Sequence, residues 1–595
     1  MGKHVHPRSS LWPPVFALLL SVWCANLQPA SAQGTQPENK PADGVHGIVV
    51  NSVTHEPIGR ALVYSPDNRF ATMTDSEGRF EFTLAPDESN PKKDQSPPAS
   101  AFGSTMTTCK GHACTTYTSS NGGAYQLHTL MAKKPGFLDD QSGRQSLPSD
   151  TDKDFTIALT PEALVVGRVV LASSEASDKI QLELYRRQVQ EGRAHWVLAG
   201  SASTKSNGEF RFAELAAGKY KLLTRELLDR DPLIFDPRGQ LYGYPPVYFP
   251  AATDFAGGET IQLAAGQIFQ ADVSLVRRAY YPIKVAVANP SPGPGVSVVV
   301  SVQGHRGPGY ALGYNHSEQT IEGMLPTGNY TLEASSFGQN SASGLLNISV
   351  KNAAFEGPRM TLLPNGSISV NVKEEFTSTD DANATRTFRV NGELRENPQG
   401  PRNYLPTLRL EPADDFGQEW TASLRLSART DDALTIDGVQ PGRYWVKADS
   451  SRGFVASITS GTTDLQHQLL VVGLGGSSPP IEITMRDGAG EIDGTVDGVA
   501  ASGSGTETAS AHVYCIPLPD SSGEFKEVWV PADGKFGPQQ LPPGTYRVLA
   551  FDRAQPELEY RNPEAMRAYE AKGQLVRLVA GQKEHLHLQL ISTSE

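Results

Sequence analysis

Along most of the chain, apolar and polar side chains alternate with a period of two in short runs, the pattern of strands with one buried face. Four of these runs open on tyrosine: Tyr220/Leu222/Thr224, Tyr330/Leu332/Ala334, Tyr444/Val446/Ala448 and Tyr546/Val548/Ala550. Each lies in the same recurring string: Leu215-x-x-Gly218-x-Tyr220, Leu325-x-x-Gly328-x-Tyr330, Val439-x-x-Gly442-x-Tyr444 and Leu541-x-x-Gly544-x-Tyr546. The string reads as a strand, a tight turn that needs glycine, and a second strand whose tyrosine anchors the turn while the next alternate residue enters the core. These glycines and tyrosines are therefore expected to be structural, not catalytic. The glycines lie 110, 114 and 102 residues apart, too far for a solenoid repeat and suited to whole β-sandwich domains in tandem. One short helix is expected near the C-terminus, with Asn562 as cap, Pro563 at its first position and Gly573 as its stop.

The chain from residue 45 carries different motifs. Gly47-Ile48-Val49-Val50, Thr54-x-x-Pro57-Ile58-x-x-Ala61-x-Val63 and Thr74-Asp75-x-x-Gly78-x-Phe80-x-Phe82 predict strand, turn, strand, hairpin and strand, and Lys134-Pro135-Gly136-Phe137 resumes the pattern. This segment resembles the carboxypeptidase regulatory-like domain, which implies a transthyretin-like β-sandwich of carbohydrate-binding-like fold. The resemblance implies no catalysis, because the family is a non-catalytic appendage of metallocarboxypeptidases. Later units, GEFRFAELAAGKYKL most clearly, resemble the same superfamily. An insert at about 85–123, rich in Ser, Thr, Pro and Lys, departs from the family and is expected to be a surface excursion. Strand-ending or Pro/Gly-rich stretches divide the rest into sandwiches at 45–160, 161–278, 279–365, 366–486 and 487–595, after a linker at 33–44. The expected fold class is all-β: tandem transthyretin-like or immunoglobulin-like β-sandwiches with one short C-terminal helix.

Composition narrows the classes further. With 56 Gly and 43 Pro in 595 residues, a coiled coil or long helical bundle is excluded. Acidic residues outnumber basic ones 65 to 52, and a net charge of −13 repels phosphate backbones, so nucleic acid is excluded as a partner. Lys3 and Arg8, an apolar stretch at 15–25 and Ala30-Ser31-Ala32 read as a signal peptide over 1–32. The expected location is the periplasm, the outer-membrane surface or the exterior of a bacterium. Bulky Trp23 before Cys24 argues against a lipoprotein acceptor, and no later apolar stretch reaches membrane length. Cys109 and Cys114 are candidates for a local disulfide in an oxidising compartment, whereas Cys515 alternates with Ala511 and Val513 and reads as a small buried hydrophobe.

Candidate chemistry is sparse. The zinc-peptidase patterns His-x-x-Glu and His-Glu-x-x-His do not occur in the mature chain, and no nucleophile elbow, phosphate loop or dinucleotide fingerprint appears. His585 and His587 share one strand face but lack a third ligand in sequence. No cofactor, metal or catalytic set is expected. Lys284, Glu333 and Asn347 are the residue types of a Lys–Asn isopeptide bond, yet the apolar alternation around them sends all three outward.

Binding is the remaining class. Tyr242, Tyr244, Tyr248 and Phe249 cluster in a Pro-rich segment that cannot be a regular central strand, and Trp445 alternates with inward Tyr444 and Val446. These five form a candidate platform for stacking on a sugar ring. The sequence favours the plainer reading, in which the cluster covers the open end of a sandwich or wedges two units together. The expectation is an exported, non-enzymatic binding or scaffolding protein of the cell envelope, its partner a carbohydrate or an envelope protein. An accessory of a TonB-type outer-membrane transport system and an enzyme of unrecognised type are the alternatives.

Overall fold

The computed structural model describes residues 44–592 except 67–69, 84–103, 111–112, 120–128, 140–143, 147–154, 172–178, 229–239, 290–294, 339, 378–385, 391–392, 398–405, 415, 417–433, 451–452, 477, 500–510, 520 and 522. The expected signal peptide and most of the expected insert lie outside the described residues. Strands Ser104–Lys110 and Ala113–Ser119 pair antiparallel with Cys109 opposite Cys114. Their side chains, and so the disulfide, also lie outside the described residues.

Strands dominate, and five hydrophobic cores form from successive stretches at 45–159, 163–275, 283–362, 368–485 and 492–588. We number the corresponding units one to five. All five share one wiring. The first strand of each pairs in parallel with the last: Gly44–Asn51 with Phe155–Leu159, Ala163–Leu171 with Ile268–Gln270 and Val273–Leu275, Arg278–Ala288 with Phe355–Glu356 and Met360–Thr361, Gly366–Glu375 with Ile481–Arg486, and Gly490–Asp497 with Lys583–Ile591. On its other edge the first strand pairs antiparallel with Arg79–Thr83, Glu209–Leu215, Thr320–Pro326, Leu434–Val439 and Lys535–Leu541 in turn. In units two to five the strand after the turn, beginning at Gly218, Gly328, Gly442 or Gly544, belongs to the facing sheet and pairs with an earlier strand of its unit, Gln181–Gln190, Val296–Val302, Thr407–Pro412 or Ala511–Pro517. The two layers of unit five also join, because Ala550 pairs with Leu590.

The period of two explains which side chains enter each core. Tyr220, Tyr330, Tyr444 and Tyr546 are 1%, 4%, 6% and 0% exposed, packed beside Leu222, Leu332, Val446 and Val548. A buried phenol needs a hydrogen-bond partner, because an orphaned hydroxyl costs roughly 1–3 kcal/mol. Each finds the same one, the carbonyl four residues earlier: Ala216 at 2.7 Å, Pro326 at 3.0 Å, Gln440 at 2.8 Å and Pro542 at 2.7 Å. The hydroxyl thus closes the turn from within, as in the tyrosine corner of immunoglobulin-like sandwiches.

Only one of the four turn glycines takes a left-handed conformation, Gly218 at φ +152°. At Gly328 a Cβ would sit 2.8 Å from the Tyr330 hydroxyl, so there glycine makes room for the ring. The helix near the C-terminus runs over Pro563–Met566 and continues as a 3-10 turn at Arg567–Tyr569. Asn562 accepts from the Glu564 amide at 3.1 Å, and Gly573 follows at φ +73°. The helix and its flanks cover the outer face of the unit-five sheet through Leu558, Tyr560, Met566 and Tyr569.

The units are not separate beads. Strands Leu227–Leu228 and Leu241–Tyr244, from the chain of unit two, extend the sheet of unit three, with Leu241 opposite Tyr280 and Tyr242 opposite Ala279.

Candidate functional site

The longest reach between units belongs to the antiparallel pair Gln181–Gln190 and Arg193–Ser203. Its two-residue turn, Glu191-Gly192, has both residues at positive φ (+50° and +75°), the geometry that matches the twist of a hairpin. Gly192 is required a second time: a Cβ there would lie 2.8 Å from the ring of Tyr560 in unit five.

The tip therefore meets two other units. Glu191 pairs with Lys447 of unit four at 2.6 Å, and its carbonyl accepts from Arg561 Nε of unit five at 3.0 Å. Burial opposes the charge on Glu191, but the Lys447 ammonium outweighs it and holds the carboxyl below its ordinary value. The guanidinium of Arg193 stacks 3.9 Å over Trp445 of unit four, a cation–π contact. Burial, with Arg561 nearby, lowers the Arg193 pKa to about 10. Further down the hairpin, Arg187 grips both carboxylate oxygens of Glu559, and Arg186 reaches Glu557 at 3.3 Å. Planar bidentate pairing fixes orientation as well as distance. The hydrogen bond from Arg187 is the main reason the Glu559 carboxyl is held low.

A second junction is aromatic. Tyr185, Trp196, Tyr248 and Phe255 of unit two enclose Phe416 of unit four, whose ring lies 4.3 Å from Phe255. Inside this cluster the ammonium of Lys221 donates to the carbonyls of Phe255 (2.7 Å) and Ala256 (3.2 Å) and lies 5.4 Å from the Trp196 ring. Units three and four meet where Arg306 bridges Glu333 and Asp414.

The five residues considered for a sugar platform are not brought together on a surface. Tyr244 and Tyr248 are 2% and 3% exposed, so neither ring face is open to a ligand. Tyr244 belongs to the unit-two core and Phe249 packs against it, while the hydroxyl of Tyr248 bonds to the Pro308 carbonyl of unit three. Trp445 points outward, as its alternation implies, and is covered by Arg193. Tyr242 alone stays exposed, with the Arg277 guanidinium 4.7 Å from its ring. Tyr242 and Tyr244 lie on a strand paired on both sides, against the expectation that this segment cannot be a regular central strand. The irregular backbone after it turns back over unit two, so Tyr244 and Phe249 serve that core, Tyr248 wedges against unit three, and no platform forms.

Trp529 is the aromatic that the sequence reading passed over. It is 58% exposed on the edge strand Lys526–Val530, directly opposite His512. Beside it, Glu527 Oε1 accepts from His512 Nδ1 at 2.9 Å and from the Tyr514 hydroxyl at 3.0 Å. The signal was available, since Trp529 alternates with Val528 and Val530 and so faces away from the core. Lys284 and Asn347 also point outward, Lys284 to Glu318 at 2.5 Å and Asn347 to Thr331 at 2.7 Å. With Glu333 held by Arg306, the three isopeptide residue types have separate partners. Cys515 is fully buried, and burial pushes its thiol up to about 12.

No family model and no curated protein matches this chain. Similar solved structures include the Bacillus anthracis TIE protein, at 8% identity over 75% of this chain and 67% of that one, TM-score 0.13. The minor pilin GBS52 of Streptococcus agalactiae aligns at 12% identity over 34% of this chain and 97% of its own, TM-score 0.15. A streptococcal ancillary pilin aligns at 10% over 55% and 99%, TM-score 0.18. Similarity at these scores carries no inference about ligand, partner or activity.

Proposed function

We propose that this chain is an exported, non-enzymatic scaffold and binding protein of the bacterial cell envelope, with a carbohydrate as its ligand. The observation that carries the scaffold reading is the Glu191-Gly192 hairpin tip, which with Arg193 joins unit two to units four and five through an ion pair, a cation–π stack and hydrogen bonds from Arg561 to the Glu191 and Gly192 carbonyls. Residues 45–160 are read as a carboxypeptidase regulatory-like sandwich, supported by the parallel pairing of Gly44–Asn51 with Phe155–Leu159.

For the ligand, the support is Trp529. A large ring left 58% exposed forgoes roughly 1–2 kcal/mol of burial, and it suits the apolar face of a pyranose, with Glu527 and His512 alongside for hydroxyl groups. Glu527 disfavours acidic sugars, so neutral glycans are expected. The test is a glycan array with the full chain beside Trp529→Ala. Binding that Trp529→Ala abolishes supports the reading. Binding that survives the substitution, or none at all, removes the carbohydrate assignment. Tyr248→Ala is no control for ligand binding, because it would disturb the junction with unit three.

A further inference from the structure

The final strand of unit five carries a feature that the scaffold reading does not use. Gly490–Asp497 and Lys583–Ile591 run parallel, and their outward residues stand in register: Asp493 against His585, Thr495 against His587 and Asp497 against Gln589. His585 Nδ1 lies 2.5 Å from Asp493 Oδ1, and His587 Nδ1 lies 3.0 Å from Thr495 Oγ1. A carboxylate can only accept, so Asp493 fixes the proton of His585 on Nδ1 and leaves Nε2 with its lone pair free. Thr495 can accept from His587 in the same way. Each ring is thus held at Nδ1 by a partner on the neighbouring strand, the arrangement that orients metal-ligating histidines.

The separation of the rings is the deciding quantity. With a metal–nitrogen bond of about 2.0–2.1 Å, a shared ion sits about 3.2 Å from each imidazole centre, and N–metal–N angles of 90–110° place the centres about 4.5–5.2 Å apart. In this protein they are 5.0 Å apart, inclined at 76°. The surrounding charge also suits a cation. Glu491, Asp493 and Asp497 line the partner strand, with Lys583 drawn to Glu491 at 3.0 Å.

We propose that His585 and His587 form an open chelating site for a late divalent transition metal, copper(II) binding most tightly. Among the described residues no third histidine, cysteine or carboxylate completes a ligand set, so water fills the other positions. Nitrogen donors with two adjacent positions occupied suit the square geometry of copper(II), and the general order of divalent affinities places copper above zinc. Such a site exchanges its ion with solution, unlike a buried structural metal. It does not depend on the carbohydrate reading.

The test is copper(II) titration of the full chain at neutral pH, followed by electron paramagnetic resonance. One ion per chain is expected at the tightest site, with hyperfine structure from two imidazole nitrogens. His585→Gln or His587→Gln should each weaken that site at least tenfold, and Asp493→Asn, which leaves both ligands in place, by about 10-fold or more. Equal thermal midpoints of the metal-free proteins would show that the exposed substitutions leave the fold intact. Should the double variant His585→Gln/His587→Gln bind copper with unchanged affinity and spectrum, the site lies elsewhere and the proposal fails.

Discussion

Replacing Glu226 by Gln should stabilise the chain, and only at high pH. Glu226 follows the strand Gly218–Thr224 of the facing sheet in unit two and reaches across to unit three, where Oε1 accepts from the Ala311 amide at 3.0 Å. Its Oε2 is sequestered without a hydrogen-bond partner among the described residues. Burial is the dominant cause that raises its pKa from 4.5 to about 7, against the smaller lowering effects of the Ala311 bond and Arg225. A raised carboxyl binds its proton more tightly in the folded chain than in the unfolded one, so stability is full below pH 4.5 and falls as pH rises through 7. At about 1.4 kcal/mol per pKa unit, the charged form costs about 3 kcal/mol at pH 8. Glutamine keeps a carbonyl for Ala311 and carries no charge. Denaturant unfolding of Glu226→Gln beside the parent should therefore show a gain of about 2–3 kcal/mol at pH 8, shrinking to near zero at pH 4.5. A difference that is independent of pH, or a loss at pH 8, would refute the reasoning, since either result means that ionisation of Glu226 is not what the junction resists.

Three further outcomes follow from other parts of the molecule. Tyr546→Phe should cost about 1–3 kcal/mol in unfolding experiments, because the Pro542 carbonyl loses the phenol that donates to it inside the core; no loss would mean that the repeated turn does not depend on the phenol. In a double-mutant cycle, Arg187→Ala and Glu559→Ala should show a coupling of about 0.5–3 kcal/mol, since both side chains are largely shielded from solvent. Simple additivity would place units two and five apart in solution. Cys515 should resist thiol reagents at pH 8 in the native chain and react only on unfolding, because its thiol is buried and its pKa is raised to about 12.

Strands and the direction of their side chains were legible in the sequence, because alternation reports which face is buried whatever lies opposite. The inward set of Tyr220, Leu222 and the equivalents needed nothing more. The helix was legible from Asn562, Pro563 and Gly573 because capping chemistry is local. Contacts between units were not, since they join residues far apart in the chain: Arg187 and Glu559 are 372 positions apart. For the same reason, Trp445 could be read as outward while its cover, Arg193, could not be found. Tyr248 misled for a different reason. Proline marks a segment as irregular, but not whether that segment faces solvent or folds back over its own sheet. The sequence asks for glycine at each tight turn, at positive φ or against a close backbone, whereas at Gly328 the need is space for the Tyr330 ring, a three-dimensional requirement with no signature in local sequence.

Small-angle scattering of residues 33–595 tests the central claim, that one hairpin gathers units two, four and five into a single scaffold. A single globule of this length has a radius of gyration of about 24 Å, and five such units in an end-to-end row about 50 Å. The contacts of Glu191, Arg193 and Arg187 predict about 35 Å or less, rising when Arg187→Glu sets like charges against Glu559. A value near 50 Å that does not respond to Arg187→Glu would contradict the account and leave the units as beads on a string.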